Sequence, residues 1–299
     1  MSSKKSIKKD IPEADTPKAD TLKEDTPKED TLKEDTPKRK NISPLRYPGG
    51  KTRACKKLDE ILSEYFDINS FSILLSPFFG GGSFEFYLQN KYDLPIITND
   101  KFTPLYNFWN SVKFNNSELV SKIEPYLGID KTEFTVLRKN IISLTSDPIT
   151  QATHYFIINR CSFSGATLSG GFSKEASKKR FTPSSIERVK KLDLTDFIIY
   201  NEDFEPFIKK HHTEESILFL DPPYYLEGKS NLYGNNGDMH ENFDHKKLAD
   251  LLSDKINWIM TYNNCSYIRE LYKDQIIIET YWSYGMNKSK ESSEIVIIG

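Results

Sequence analysis

Seven short runs rich in Ile, Leu and aromatic residues punctuate this chain, at residues 71–75, 95–98, 197–200, 217–220, 258–261, 276–280 and 295–298. Each is bounded by polar residues, the mark of a strand buried on both faces. Between the runs lie helical patterns. Ala54, Leu58, Ile61, Leu62 and Tyr65 fall at i, i+4, i+7, i+8 and i+11, one face of a helix. Residues 243–252 and 265–272 give two more helices. Strands alternating with helices predict an α/β fold built on a mostly parallel sheet, with ligands at the carboxyl ends of its strands. Residues 105–191 break the rhythm. They read as several helices and a Gly/Ser-rich loop, with no strand until Phe197. The expected division is therefore residues 41–104 and 193–299 as one domain, with 105–192 inserted as a lobe.

The first 40 residues stand apart. They hold 11 Lys/Arg, 10 Asp/Glu and four Pro, with no Gly and no aromatic residue. From Thr16 they read TPKAD, TLKED, TPKED, TLKED and TPKRK. A period of five matches neither helix nor strand, so no apolar face accumulates and a disordered polyampholyte tail is expected. Cys55, Cys161 and Cys265 form no CxxC pair. Neither a disulfide framework nor a metal site is expected, which points to a reducing cytoplasm. No apolar stretch is long enough to span a bilayer, and the charged N-terminus has no signal-peptide core.

Charge is segregated. Residues 46–57 contain Arg46, Lys51, Arg53, Lys56 and Lys57 with no acid, and residues 172–192 carry seven basic residues against Glu175 and Glu187. The remainder of the body is acidic, so a uniformly basic nucleic-acid binder is excluded. The pattern suits an anionic partner meeting one face.

The chemistry sits in three motifs. PGGKT at 48–52 resembles the end of a phosphate-binding loop, but the first glycine of that motif would fall at Leu45 and no strand precedes it, so the nucleotide-hydrolase reading fails. SPFFGGGSFEF at 76–86 follows a strand and opens a helix, and a second strand ends roughly 20 residues on at Asn99-Asp100. A Gly-rich turn with an acid at that distance points to a cofactor containing a nucleoside. Asp221-Pro222-Pro223-Tyr224 directly follows the run ILFL. The prolines end the strand and fix the backbone, so a carboxylate, the Pro222 carbonyl and an aromatic ring project together. That set suits an exocyclic NH₂ group: two acceptors for its two N–H groups and a ring to stack on the base.

These motifs, in this order, resemble the DNA N6-adenine methyltransferases of the Dam class, over about residue 43 to the C-terminus. The resemblance implies a Rossmann-like, mostly parallel seven-stranded methyltransferase sheet with an inserted, mainly helical DNA-recognition lobe bearing a basic hairpin. It implies S-adenosylmethionine as cofactor, with Tyr47 and Lys51 in RYPGGK, Pro77, Phe78, Gly80 and Gly82 in PFFGGGS, Asp100, Asp203, Phe204 and Asp221 as binding residues. Asp221, Pro222 and Tyr224 are the implied catalytic residues. Asn159, Arg160 and Gly165 are similar to the segment that opens the family's DNA-contacting hairpin, and Lys178, Lys179 and Arg180 fall where that family meets DNA. The Gly/Ser-rich SGATLSGGFS departs from the Tyr/Arg-rich hairpin of the family. Asn263, residues 269–272 and Glu294 resemble its late motifs.

The expected reaction is methyl transfer to N6 of an adenine flipped out of duplex DNA, with a cognate restriction endonuclease as a separate partner. Alternatives are transfer to cytosine N4, to adenine in RNA or to a protein glutamine, or a cofactor-binding DNA-recognition module without turnover. Asp at position 221 counts against the glutamine enzymes, which carry Asn there. His211-His212 reads as a solvated pair, and Cys161 lacks a partnered base.

Overall fold

The computed structural model describes residues 40–47, 49–143, 147–225, 243–282 and 292–299. The expected tail at 1–40, apart from Lys40, lies outside the described residues.

All seven apolar runs fall in strands: β1 (Ile73–Ser76), β2 (Ile96–Asn99), β3 (Phe197–Tyr200), β4 (Ser216–Leu220), β5 (Trp258–Asn263), β6 (Ile276–Trp282) and β7 (Ser292–Ile298). They form one sheet in the order β3-β2-β1-β4-β5-β7-β6, in which β1 to β5 are parallel and β7 runs antiparallel between β5 and β6. Every residue of β4 is buried, as are the first five of β5. This is the burial that parallel strands covered on both faces require.

Strands β1 and β4 are neighbours, from Ile73↔Ser216 to Leu75↔Leu218. From β1 the chain moves outward to β2 and β3, then returns to β4 and grows the other way. At such a reversal the loops leaving the two central strands diverge and open a crevice at their carboxyl ends. The Gly-rich turn after β1 and the DPPY segment after β4 both leave there.

Helices cover the sheet: α1 (Cys55–Tyr65), α2 (Ser83–Tyr92), α3 (Thr103–Phe114), α4 (Asn116–Ile123), α5 (Lys131–Asn140), α6 (Pro148–Cys161), α7 (Lys174–Lys179), α8 (Pro183–Lys190), α9 (Phe204–His211), α10 (His245–Leu252) and α11 (Ser266–Leu271). Helix α6 begins at an Asp147 cap that accepts from Thr150 N (3.1 Å), with Pro148 in its first turn. Its apolar residues run all the way round, and Ala152, Tyr155, Phe156, Ile157 and Ile158 are all buried. A helix with that pattern has to sit inside a bundle, and α3, α4 and α5 pack on it.

Two expectations about residues 105–192 need correction. The boundary at 104/105 falls inside α3, and the helical segment shares one apolar core with the sheet. Trp109 of α3 packs at an angle against Phe79 and Phe86 (ring centroids 5.1 and 5.7 Å) and its Nε1 donates to the Gly80 carbonyl at 3.0 Å. The basic window is not a hairpin but the pair α7 and α8. Ser173 caps the first through Ala176 N, and a Thr182/Ser185 capping box with Pro183 starts the second, so local capping chemistry favours helix. Among the described residues of this segment, what pairs as β is one isolated antiparallel bridge, Ser162↔Phe172, at the base of the Gly/Ser-rich loop.

Candidate active site

Pro222 and Pro223 have no N–H for a ladder, so the chain leaves the sheet immediately after Leu220. Asp221 then stands at the mouth of the crevice, its side chain 24% exposed. Lys51, from the turn that follows Gly49-Gly50, reaches it with a buried stem. Its Nζ donates to Asp221 Oδ1 at 2.7 Å and Oδ2 at 2.9 Å, and to the Gly49 carbonyl at 2.9 Å.

Strand β5 frames this segment through its two-residue alternation. Thr261 Oγ1 donates to Asp221 Oδ1 at 2.6 Å, and Asn263 Nδ2 to the Tyr225 carbonyl at 2.7 Å. The ring of Tyr262, between them, stacks with that of Tyr224 at 5.8 Å. Tyr224 OH donates to Glu294 Oε2 of β7 at 2.7 Å, and Lys51 Nζ lies 5.2 Å from the Tyr224 ring centroid.

The other residues expected to bind a cofactor lie along the same carboxyl edge. Gly80 adopts a left-handed φ of 50°, and a Cβ there would come within 2.9 Å of the Tyr47 ring, so the glycine admits both the turn and the packed tyrosine. Pro77 offers its carbonyl to Asn99 Nδ2 (3.1 Å), and Gly82 is the N-cap of α2. Asp100, after β2, accepts from Gly80 N and Phe102 N, both at 2.9 Å. Burial pushes its carboxyl up to about 6, against the pull of those two N–H groups. Asp203 caps α9 by accepting from Glu205 N and is held by Lys101 at 2.8 Å. Phe204 and Phe78 meet at 5.7 Å, and Phe243 packs on both at 5.4 and 5.6 Å.

The residues expected at DNA divide. Lys178, Lys179 and Arg180 are exposed. Asn159 and Arg160 are not at the surface, a correction to their expected role as direct contacts. Asn159 is fully buried; it accepts from Arg46 N at 2.9 Å and donates to the Arg46 and Gly165 carbonyls. Arg160 is 8% exposed and spends its guanidinium on the carbonyls of Pro44 and Arg180. Burial, then the neighbouring Arg46, Arg188 and Arg180, lower it to about 10. The two basic windows therefore meet at this buried clamp, which joins residues 44–46 to the loop after α6 and to the end of α7.

Sequence reasoning passed over four residues that the fold brings to the site or the basic face. Thr261 was read as the end of a strand. Phe243, at the start of an expected helix, completes the aromatic cluster. Phe163, 61% exposed, stands at the start of the Gly/Ser-rich loop. Glu85 is buried in α2, where it accepts from Ser76 Oγ at 2.6 Å, and burial pushes its carboxyl up to about 8. An acid inside the apolar stretch SFEF was the visible signal for the last. Cys161 is buried, which pushes its thiol up to about 12, while His212 meets the Ile256 carbonyl at 2.9 Å instead of solvent alone.

The model of the D12 class N6 adenine-specific DNA methyltransferases matches residues 47–286, a span that holds Lys51, the Gly-rich turn, Asp100 and DPPY. The chain belongs to this family. Among curated relatives of this D12 methyltransferase, the type II methyltransferase M.MjaIII of Methanocaldococcus jannaschii is 24% identical over 198 residues, 60% of this chain and 68% of that protein. The type II methyltransferase M.CviBI of Paramecium bursaria Chlorella virus NC1A is 22% identical over 242 residues, 79% of this chain and 88% of that protein. The mostly parallel sheet fits the family, whose reaction is adenine-specific DNA methylation. Its substrate is DNA. Among the described residues, no helix of this D12 methyltransferase is long and apolar enough to cross a membrane.

Proposed function

We propose that this methyltransferase moves the methyl group of S-adenosylmethionine to N6 of an adenine flipped out of duplex DNA, with Asp221, Pro222 and Tyr224 as the residues that hold the base. The observation that carries the reading is the convergence on Asp221: Lys51 and Thr261 orient its carboxylate beside the Tyr224 ring, at the carboxyl end of a central strand.

The donor set fits the cofactor. The carboxylate of Asp100 suits hydroxyls of a nucleoside, Asp203 and the faces of Phe78 and Phe204 suit its base, and the paired Lys51 and Asp221 suit a zwitterionic amino-acid end. Tyr47, Pro77, Gly80 and Gly82 shape the turn beneath. When bound, S-adenosylmethionine supplies an already activated methyl on a sulfonium.

The protein's task is then orientation. The adenine amine is a weak nucleophile because its lone pair is delocalised into the ring. Accepting its two N–H groups at Asp221 and the Pro222 carbonyl favours a tetrahedral nitrogen with the lone pair directed away from both acceptors. A base within the duplex is out of reach, and extruding it costs a few kcal/mol. Stacking on Tyr224 recovers roughly 1–3 kcal/mol of that. Lys178, Lys179 and Arg180 supply charge for backbone phosphates, and Phe163, exposed on the Gly/Ser-rich loop, suits an apolar wedge between base steps. Residues 105–192 serve target recognition on this reading. Both relatives are named type II methyltransferases, and a cognate restriction endonuclease acting separately is part of the proposal.

The test is incubation of the full chain with methyl-labelled S-adenosylmethionine and duplex DNA, followed by digestion to nucleosides. Label in N6-methyladenine is the expected result. Label in N4-methylcytosine, or transfer to RNA in preference to DNA, would overturn the reading.

A further inference from the structure

Glu294 lies outside the segment matched by the family model, which ends at residue 286. It sits on the antiparallel strand β7, opposite Asn263 of β5 and Thr280 of β6, and is 1% exposed. Its Oε2 accepts from the Tyr224 hydroxyl at 2.7 Å, across 70 residues of chain.

A tyrosine at a strand exit has broad freedom about its Cβ–Cγ bond. Two contacts remove that freedom here. The ring lies on Tyr262 at 5.8 Å with 29° between the planes, and the hydroxyl is tied to a carboxylate on a neighbouring strand. The first sets the distance of the ring from β5; the second sets its rotation and tilt. A stacking platform acts through the direction of its face, so the second contact bears on function.

We propose that Glu294 is a positioning residue that holds the Tyr224 ring in the orientation against which the flipped base stacks. The proposal rests on the reading of Tyr224 as the stacking residue. Glu294 does not touch the base. It acts through the tyrosine hydroxyl, and through it β7 contributes to base capture.

The test uses the full chain as Glu294→Leu, Glu294→Gln, Tyr224→Phe, Tyr224→Ala and the Glu294→Leu/Tyr224→Phe double variant. Three quantities are read: single-turnover methyl transfer at saturating cofactor, cofactor affinity, and fluorescence of a duplex carrying 2-aminopurine at the mapped target adenine. Glu294→Leu and Tyr224→Phe break the same hydrogen bond, so each should lose about 5- to 20-fold in transfer and part of the fluorescence rise, with cofactor affinity unchanged. The double variant should be no worse than the poorer single. Glu294→Gln keeps an acceptor oxygen and should recover most of what Leu loses. Multiplying losses in the double variant, or full transfer and fluorescence in Tyr224→Phe, would overturn the proposal, and the Phe comparison decides even if Glu294→Leu fails to fold. Full fluorescence and transfer in Tyr224→Ala would instead sink the stacking role itself.

Discussion

Lys51 Nζ lies 2.7 and 2.9 Å from the two carboxylate oxygens of Asp221, 170 residues further along the chain. Two motifs far apart in the sequence thus form one ion pair, braced by Thr261 on β5. Oδ1 of Asp221 takes both the ammonium and the threonine hydroxyl, whereas Oδ2 takes the ammonium. Oδ2 is the oxygen suited to an incoming N–H.

This arrangement makes the site sensitive to each partner in a graded way. Asp221→Ala removes the acceptor and should lower single-turnover transfer by roughly 10²–10³. Thr261→Val is close in shape and leaves the strand intact, yet it frees Asp221 Oδ1 to rotate. A loss of about tenfold is expected, the scale of one net hydrogen bond to a charged group. Rapid-quench transfer of labelled methyl to DNA measures both.

The basic face should separate into surface and clamp. Changing Lys178, Lys179 and Arg180 to Ala should flatten the dependence of log K on log salt by up to about 0.9 for each phosphate no longer neutralised. Thermal stability should barely move, because the backbone carbonyl of Arg180, not its side chain, is what Arg160 holds. Arg160→Ala should do the reverse, lowering the melting temperature with little change in slope. Phe163→Ala should keep its stability and weaken DNA binding. Fluorescence anisotropy over a salt series, beside calorimetry, distinguishes the cases.

Cofactor binding should depend on pH through Asp100. Its carboxyl stands at about 6 instead of 3.8 because it is buried. The ionised form accepts from Gly80 N and Phe102 N and has lone pairs left for hydroxyls. Affinity should therefore be half its full value near pH 6, full about a unit above it, and fall up to tenfold per unit below it. Titrating cofactor binding from pH 5 to 8 tests this, and Asp100→Asn should give a flat, weaker profile.

Glu85 should be a cost to stability at alkaline pH. An exposed glutamate ionises near 4.5, whereas burial holds Glu85 at about 8 in the folded protein. The unfolded chain therefore releases this proton first, and stability falls as pH rises from 4.5 to 8. Glu85→Gln keeps an acceptor for Ser76 Oγ and removes the penalty. It should be more stable than wild type by on the order of 3 kcal/mol at pH 8, with only a small difference at pH 5. Denaturant unfolding at the two pH values measures the gap.

The strands, the Gly-rich turn and the DPPY exit were all legible in the sequence, because each depends on chemistry confined to a few neighbouring residues. A short apolar run bounded by polar residues and rich in Ile and aromatics reads as a buried strand, a Gly turn admits a backbone that other residues resist, and two prolines end a ladder wherever they stand. What tertiary structure alone decided was the direction and partnership of polar side chains. Asn159 and Arg160 read as contacts for DNA, yet Asn159 is bound to both the N–H and the carbonyl of Arg46, 113 residues away. A polar residue in a motif has the same letter whether it faces water or a buried carbonyl. The helical segment after β2 likewise shares the core of the sheet because Trp109 reaches Phe79 and Gly80, and no local spacing encodes that reach. Lys51 with Asp221 and Tyr224 with Glu294 are pairs of the same kind. Their separation in the chain carries no periodic signal, and they meet only because the strand order places the ends of β1, β4, β5 and β7 at one edge.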